Sequence, residues 1–273
     1  MIIARIKFFF RGIISLFFVS ARRDFSGDFS SWKEAISKAT GYESNLVIEK
    51  TRESLWKVKN GEAVYERDSV LFNEIQYSWP LLAGLLWVAS QSGNRINLVD
   101  FGGSLGSSYF QNRKMLSSLN GLKWNVVEQA GFVSLGCEYF RDSELDFYYS
   151  IQECMTENSI DLIILSSVLP YIENPHALLD EIISYSVPFI IIDRTPVIEL
   201  DRDLLTVQKV PPSIYSASYP AWFFNRESLM NKLLSEYELV AEFDALTGEI
   251  PVNGHIARDK GFILKLKQSE PAR

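Results

Sequence analysis

Hydrophobic positions along this chain alternate between two patterns, and the alternation predicts its architecture. Near-continuous apolar runs at 96–100, 122–129, 145–149, 160–166 and 188–194 have the length and composition of strands buried on both faces. Between them lie stretches with helical spacing. Residues 107–119 place Tyr109, Phe110, Met115, Leu116 and Leu119 against polar Gln111, Asn112, Arg113 and Lys114, and Asn120-Gly121 ends the pattern. A second stretch begins at Asn174-Pro175 and buries Ala177, Leu178, Leu179, Ile182 and Ile183; a third spans 225–235 with Leu229, Met230, Leu233 and Leu234 on one face. Strand, helix, strand in succession predicts an α/β fold around a mostly parallel sheet. Residues 237–245 and 261–267 read as two last strands joined by a loop, an antiparallel pair at the sheet edge.

Residues 24–95 read as a helical lead-in. Ser31 and Glu34 have the spacing of a capping box, Gly41 ends that first helix, and 46–58 continue helical until Asn60-Gly61. The apolar stretch 75–89 around Pro80 is expected to pack on the sheet as a lid. The chain thus divides into 1–23, the lead-in 24–95, a main domain 96–268 and a tail 269–273.

The first strand runs into Asp100-Phe101-Gly102-Gly103-Ser104-Leu105-Gly106, a tight turn opening a helix, which is where α/β folds hold nucleotide-like cofactors. Gly103 and Gly106 match the last two positions of a dinucleotide fingerprint, but Phe101 occupies the first. With Asp100 two residues ahead of Gly102, the turn instead resembles motif I of the class I S-adenosylmethionine-dependent methyltransferases, acid-x-Gly-x-Gly-x-Gly. Ser104 stands where the middle glycine usually falls, and its side chain resists a positive φ. The resemblance implies a seven-stranded Rossmann-like sheet with the terminal antiparallel pair. It also implies S-adenosyl-L-methionine as cofactor, held at its methionine end by Asp100, Gly102, Gly103 and Gly106. Glu128 closes the second strand 22 residues after Gly106, about the distance at which an acid takes both ribose hydroxyls, with Gln129 beside it. Residues 150–152 would lie near the adenine. The segment SSVLPYIENP, from Ser166 and Ser167 onward, resembles the loop that lines the methyl-transfer pocket after the fourth strand.

Four longer segments, FSSWKEAISKATGY, GEAVYERDSVLFNEIQYSWPLLAGLLWVA, VDFGGSLGSSYF and PPSIYSASYPAWFF, together resemble a narrower group of bacterial proteins assigned as methyltransferases and often associated with surface-polysaccharide biosynthesis. That resemblance spans roughly 25–267 and implies O- or N-methylation of a glycan or glycan precursor. The stretch 210–224 offers Tyr215, Tyr219, Trp222 and Phe223 as faces for a sugar. Candidates for removing the acceptor's proton are His255, best tuned by its ordinary pKa, and Asp193, Tyr215 and Tyr219; transfer by alignment alone needs none. Two other classes stay open: a nicotinamide-dependent oxidoreductase or epimerase, and a non-catalytic module that keeps the fold.

Composition narrows the partners. The net charge of −7 argues against a general nucleic-acid binder. Cys137, Cys154, His176 and His255 share no metal-ligand spacing, so no metal is expected, and two unframed cysteines suit a reducing cytoplasm. Residues 1–23 carry Arg5, Lys7, Arg11, Arg22 and Arg23 and no acid, so this segment is +5 and the rest of the chain −12. Its longest uncharged stretch, 12–21, has ten residues, too short to span a bilayer. A cationic apolar helix lying on the anionic inner face of a membrane is the expected reading.

Overall fold

The computed structural model describes residues 24–40, 44–67, 69–210 and 217–268. The basic segment 1–23, Gly41, Tyr215 and the tail 269–273 lie outside the described residues. In chain order the elements are β1 (Asp24–Ser26), α1 (Trp32–Lys38), α2 (Ser44–Lys59), β2 (Tyr65–Arg67), β3 (Val70–Phe72), α3 (Trp79–Gln91), β4 (Arg95–Phe101), α4 (Ser107–Leu116), β5 (Gly121–Val127) and α5 (Ala130–Leu135). There follow β6 (Leu145–Tyr148), α6 (Ile151–Glu157), β7 (Leu162–Ser166), α7 (Pro175–Ser184), β8 (Phe189–Ile198), β9 (Leu204–Lys209), β10 (Ser218–Asn225), α8 (Arg226–Leu233), β11 (Tyr237–Val252) and β12 (His255–Leu266).

Five parallel strands stand in the order β6-β5-β4-β7-β8, and β12 pairs antiparallel with β8 and with β11. This is an α/β fold with the mostly parallel sheet and terminal antiparallel pair that the resemblance implied. Strand side chains alternate between two cores, as period-two geometry demands. Leu162, Ile164, Phe189 and Ile191 join Leu81, Leu85 and Val88 of α3 and Leu116 of α4 on one face. Ile163, Leu165, Ile190 and Ile192 join Leu179 and Ile182 of α7 and Leu229 and Leu233 of α8 on the other.

Three features depart from the sequence reading. First, the sheet has ten strands: β1, β9 and β10 extend it beyond the expected seven. Strand β8 outruns its neighbour. Residues 189–193 pair with β7, whereas Val197 and Ile198 pair with Phe224 and Asn225 of β10, so the extra layer begins where the ligand-binding ends of the parallel strands lie. The aromatic stretch 210–224 therefore contains a strand, and packing takes up its faces. Trp222 stacks on Trp32 at 6.4 Å, and Phe223 meets Phe25 edge-on at 4.9 Å. Second, the lead-in mixes helices with strands, since β1 joins the main sheet and β2 and β3 form a separate two-stranded sheet. Third, β11 and β12 run far beyond the expected strands and turn at Asn253-Gly254, both with positive φ.

The capping box is half realised. Ser31 Oγ accepts from the Glu34 amide at 3.3 Å, while the Glu34 carboxylate reaches back to the Ser30 amide and hydroxyl at 3.0 and 2.8 Å, one residue earlier than expected. Pro80 sits in the first turn of α3, where its missing N–H costs nothing. Among the described residues no helix is long and apolar enough to cross a membrane, no metal-binding cluster occurs, and Cys137 and Cys154 are free.

Candidate functional site

Asp100 ends β4 with its carboxylate in the core, 1% exposed. Its Oδ2 accepts the Trp124 indole N–H at 2.9 Å. Burial raises its pKa to about 6, against the opposing pull of the Trp124 hydrogen bond and Arg194, with Glu128 adding to the rise. The glycine turn folds directly over this acid. A Cβ on Gly103 would stand 2.5 Å from the Asp100 carboxyl carbon, and one on Gly102, at φ +74°, 2.4 Å from Val168. The turn is pinned by the Gly102 amide on the Val127 carbonyl at 2.9 Å and the Gly106 amide on the Gly103 carbonyl at 3.0 Å. Ser104 does take the left-handed conformation, φ +57°. The Glu128 carboxylate accepts the Gln129 amide at 2.7 Å, and the nearby Ser104 amide also favours its ionised form. Burial raises the Glu128 pKa and the two amides oppose it. Gln129 itself is exposed at the start of α5.

A second group gathers at the ends of β7 and β8. Ser166 and Asp193 are register partners. The Ser166 hydroxyl donates to Asp193 Oδ2 at 3.1 Å, and the Arg194 guanidinium donates to Ser166 Oγ at 3.1 and 3.3 Å. Ser167, at φ +58°, gives its amide to the Asp193 carbonyl at 2.9 Å. Asp193 is 1% exposed, and its Oδ1 is buried with no hydrogen-bond partner. Burial raises its pKa, with Arg194 and Ser166 opposing.

Ser166, Asp193 and Arg194 line one wall of a small cleft, about 40 Å³ in volume, that opens to solvent. The other wall comes from β2, α3 and α4, and sequence reasoning missed it. Buried Glu66 accepts the Ser107 hydroxyl at 2.7 Å and the Ser69 amide at 2.6 Å, and Gln111 donates to the Tyr65 hydroxyl at 3.1 Å. Arg67, Gln76, Ser78, Ser108 and apolar Leu81 complete that wall, and Leu246 of β11 lines the same cleft. Glu66 lies in a three-residue strand with no periodicity to flag it; an acid between Tyr65 and Arg67 was the one signal available.

The remaining candidates lie elsewhere. Tyr219 is on β10, half-buried, its ring edge-on to Tyr171 at 5.3 Å. His255 is exposed at the tip of the β11–β12 hairpin opposite Val252, and does not line the cleft. The structure thus joins Asp100, the glycine turn and Glu128 in one cluster and Ser166 and Asp193 in another, linked by the attraction of Arg194 for both aspartates.

No family model matches the chain, and no curated protein matches it. Among solved structures, the chain is similar to the N-terminal domain of EvdMO1, determined with S-adenosylhomocysteine and D-fucose, at 14% identity and a TM-score of 0.46, over 80% of this chain and 97% of that one. It is also similar to the 1,6-didemethyltoxoflavin-N1-methyltransferase of Burkholderia thailandensis, at 12% identity and a TM-score of 0.44, over 91% and 97% of the two chains. A third is the glycopeptide N-methyltransferase MtfA, complexed with sinefungin, at 8% identity and a TM-score of 0.43, over 67% and 94%.

Proposed function

We propose that this chain is an S-adenosyl-L-methionine-dependent methyltransferase acting on a glycan or glycan precursor. The observation that carries the reading is the glycine turn set between the buried Asp100 carboxylate and the half-buried Glu128 carboxylate at the ends of adjacent parallel strands. Gly103 lies against Asp100 with no room for a side chain, and the Ser104 amide lies near Glu128. A cradle of this kind fits a ligand that is cationic at one end and carries ribose hydroxyls at the other. Asp100 and Glu128 supply the negative charge, and the two oxygens of Glu128 suit paired hydroxyls. Gly102, Gly103 and Gly106 bring the backbone close, and Gln129, Ser166 and Ser167 stand around the same strand ends. When bound, the cofactor supplies an electrophilic methyl on a sulfonium sulfur. The polar side chains among the lining of the neighbouring cleft, Glu66, Ser107, Ser108 and Gln111, support an acceptor that carries hydroxyl groups. A cytoplasmic protein whose residues 1–23 rest on an anionic membrane completes the reading, supported by the +5 charge and apolar content of that segment.

Calorimetric titration tests the cofactor. S-adenosylhomocysteine should bind, NAD and NADP should not, and Glu128→Ala should weaken binding about 10- to 100-fold, the effect of losing hydrogen bonds to a charged group. Nicotinamide binding alone would overturn the proposal. For the membrane contact, the full chain should sediment with phosphatidylserine vesicles while a variant beginning at Asp24 stays in solution. Equal partitioning sinks that part.

A further inference from the structure

Strand β8 carries a local distortion where it meets the cleft. Thr195 pairs with Lys260 and Ile192 with Phe262, so Asp193 and Arg194 face the single residue Gly261 on β12. Two residues opposite one is a β-bulge. In a regular strand, neighbouring side chains point to opposite faces; here the consecutive Asp193 and Arg194 both line the cleft. The distortion is supported on both sides. Arg194 is held at φ +54°, and a Cβ on Gly261 would stand 2.1 Å from the Phe243 ring and 2.9 Å from the Ile192 carbonyl. Strain of this sort persists where the surroundings enforce it, and it clusters at functional positions. Its result is a carboxylate with one oxygen held by Ser166 at 3.1 Å and the other buried without a partner beside the cleft. An unpaired buried acceptor costs free energy, and a donor entering the cleft removes that cost.

We infer that Asp193 is the catalytic base, its Oδ1 taking the proton of a hydroxyl on a polar acceptor seated between β8 and the Glu66–Gln111 wall, with Ser166 and Arg194 as positioning residues. The inference rests on the methyl-transfer reading above. As the acceptor oxygen bonds to the methyl carbon, the carbon–sulfur bond breaks with its electron pair left on sulfur. The hydroxyl proton passes to Oδ1, the carboxylate becomes the neutral acid, and solvent later takes the proton. Burial and Asp259 of β12 push the Asp193 pKa up, and Arg194 and Ser166 pull it down, favouring the carboxylate form; Glu66 and Arg67 face it across the cleft.

The test uses tritiated S-adenosylmethionine with glycerol and a set of nucleoside-diphosphate hexoses as acceptors, beside calorimetry with S-adenosylhomocysteine. Asp193→Asn should bind S-adenosylhomocysteine within about 3-fold of the unaltered protein and lose about 10²- to 10⁴-fold in transfer. If that variant does not fold, Asp193→Glu carries the same comparison with a smaller loss. Carbon-13 NMR of labelled aspartate gives a readout independent of turnover. The Asp193 carboxyl should titrate at higher pH in Ser166→Ala and Arg194→Lys, and an unmoved midpoint refutes the positioning role. Equal transfer with and without the Asp193 carboxylate, zero in both included, overturns the inference while S-adenosylhomocysteine still binds. Failure of the unaltered protein to bind it overturns the cofactor reading instead.

Discussion

Asp100→Asn should stabilise the ligand-free protein, and the gain should grow by about 2.4 kcal/mol between pH 4 and pH 8. The native pKa of Asp100 is raised from 3.8 to about 6, so the folded state binds a proton that the unfolded state releases across that interval. Each pKa unit is worth about 1.4 kcal/mol, and stability falls with rising pH wherever the native state holds more protons. The contribution of Asp100 is thus fully present below about pH 4 and is lost as pH rises through about 6. An amide keeps an oxygen for the Trp124 indole and removes the charge whose burial is costly. Any fixed effect of the new amide group cancels when two pH values are compared. Urea unfolding of both proteins at pH 4 and pH 8 measures the difference; parallel pH profiles would mean that Asp100 ionises normally. The cost of the charge has a functional counterpart. A sulfonium cation settling beside Asp100 lowers its pKa, so binding near pH 6 should release protons in the unaltered protein and none in Asp100→Asn.

The residues of the glycine-turn cluster were legible because the strands that carry them are buried on both faces. Such strands leave near-continuous apolar runs, and the polar residue that ends each run marks the ligand side of the sheet. Asp100, Glu128, Ser166 and Asp193 all stood out in this way. Ser104 was readable as a departure, and it takes the left-handed conformation that a glycine there would adopt freely. Strands β1, β9 and β10 left no comparable trace. Asp24 pairs with Lys209 across most of the chain, and no local pattern encodes so distant a ladder. Pro220 has no N–H to give a ladder; β8 engages only Phe224 and Asn225, so β10 carries its proline on a stretch paired with β9 alone. His255 was singled out on titration chemistry alone, and the hairpin register then set it at an exposed tip. The second wall of the cleft was illegible for a related reason. Glu66 and Gln111 act through contacts between elements, and neither interrupts a hydrophobic pattern.

Gly103→Ala should weaken S-adenosylhomocysteine binding at least about 30-fold, near 2 kcal/mol, within the range that overpacking a tight site costs. Gly103 has an ordinary φ, so alanine meets no backbone penalty there; the conflict is one of space alone. The added methyl would fall 2.5 Å from Cγ and Oδ2 of Asp100 and 3.0 Å from Oδ1. Asp100 cannot retreat, because Oδ2 holds the indole N–H of the fully buried Trp124. The turn must lift instead, carrying the Ser104 amide away from Glu128 and separating the two ends of the cradle. Gly254→Ala is the matched control. It sits at φ +81° with nothing within 4 Å of its Cβ, so it should cost about 1 kcal/mol of stability through backbone strain and leave affinity unchanged. A double-mutant cycle locates the clash: in an Asp100→Ala background the stability lost through Gly103→Ala should largely vanish, because neighbours that compete for one space couple strongly. If Gly103→Ala binds S-adenosylhomocysteine as tightly as the unaltered chain, the turn over Asp100 does not cradle the cofactor and the proposed site is misplaced.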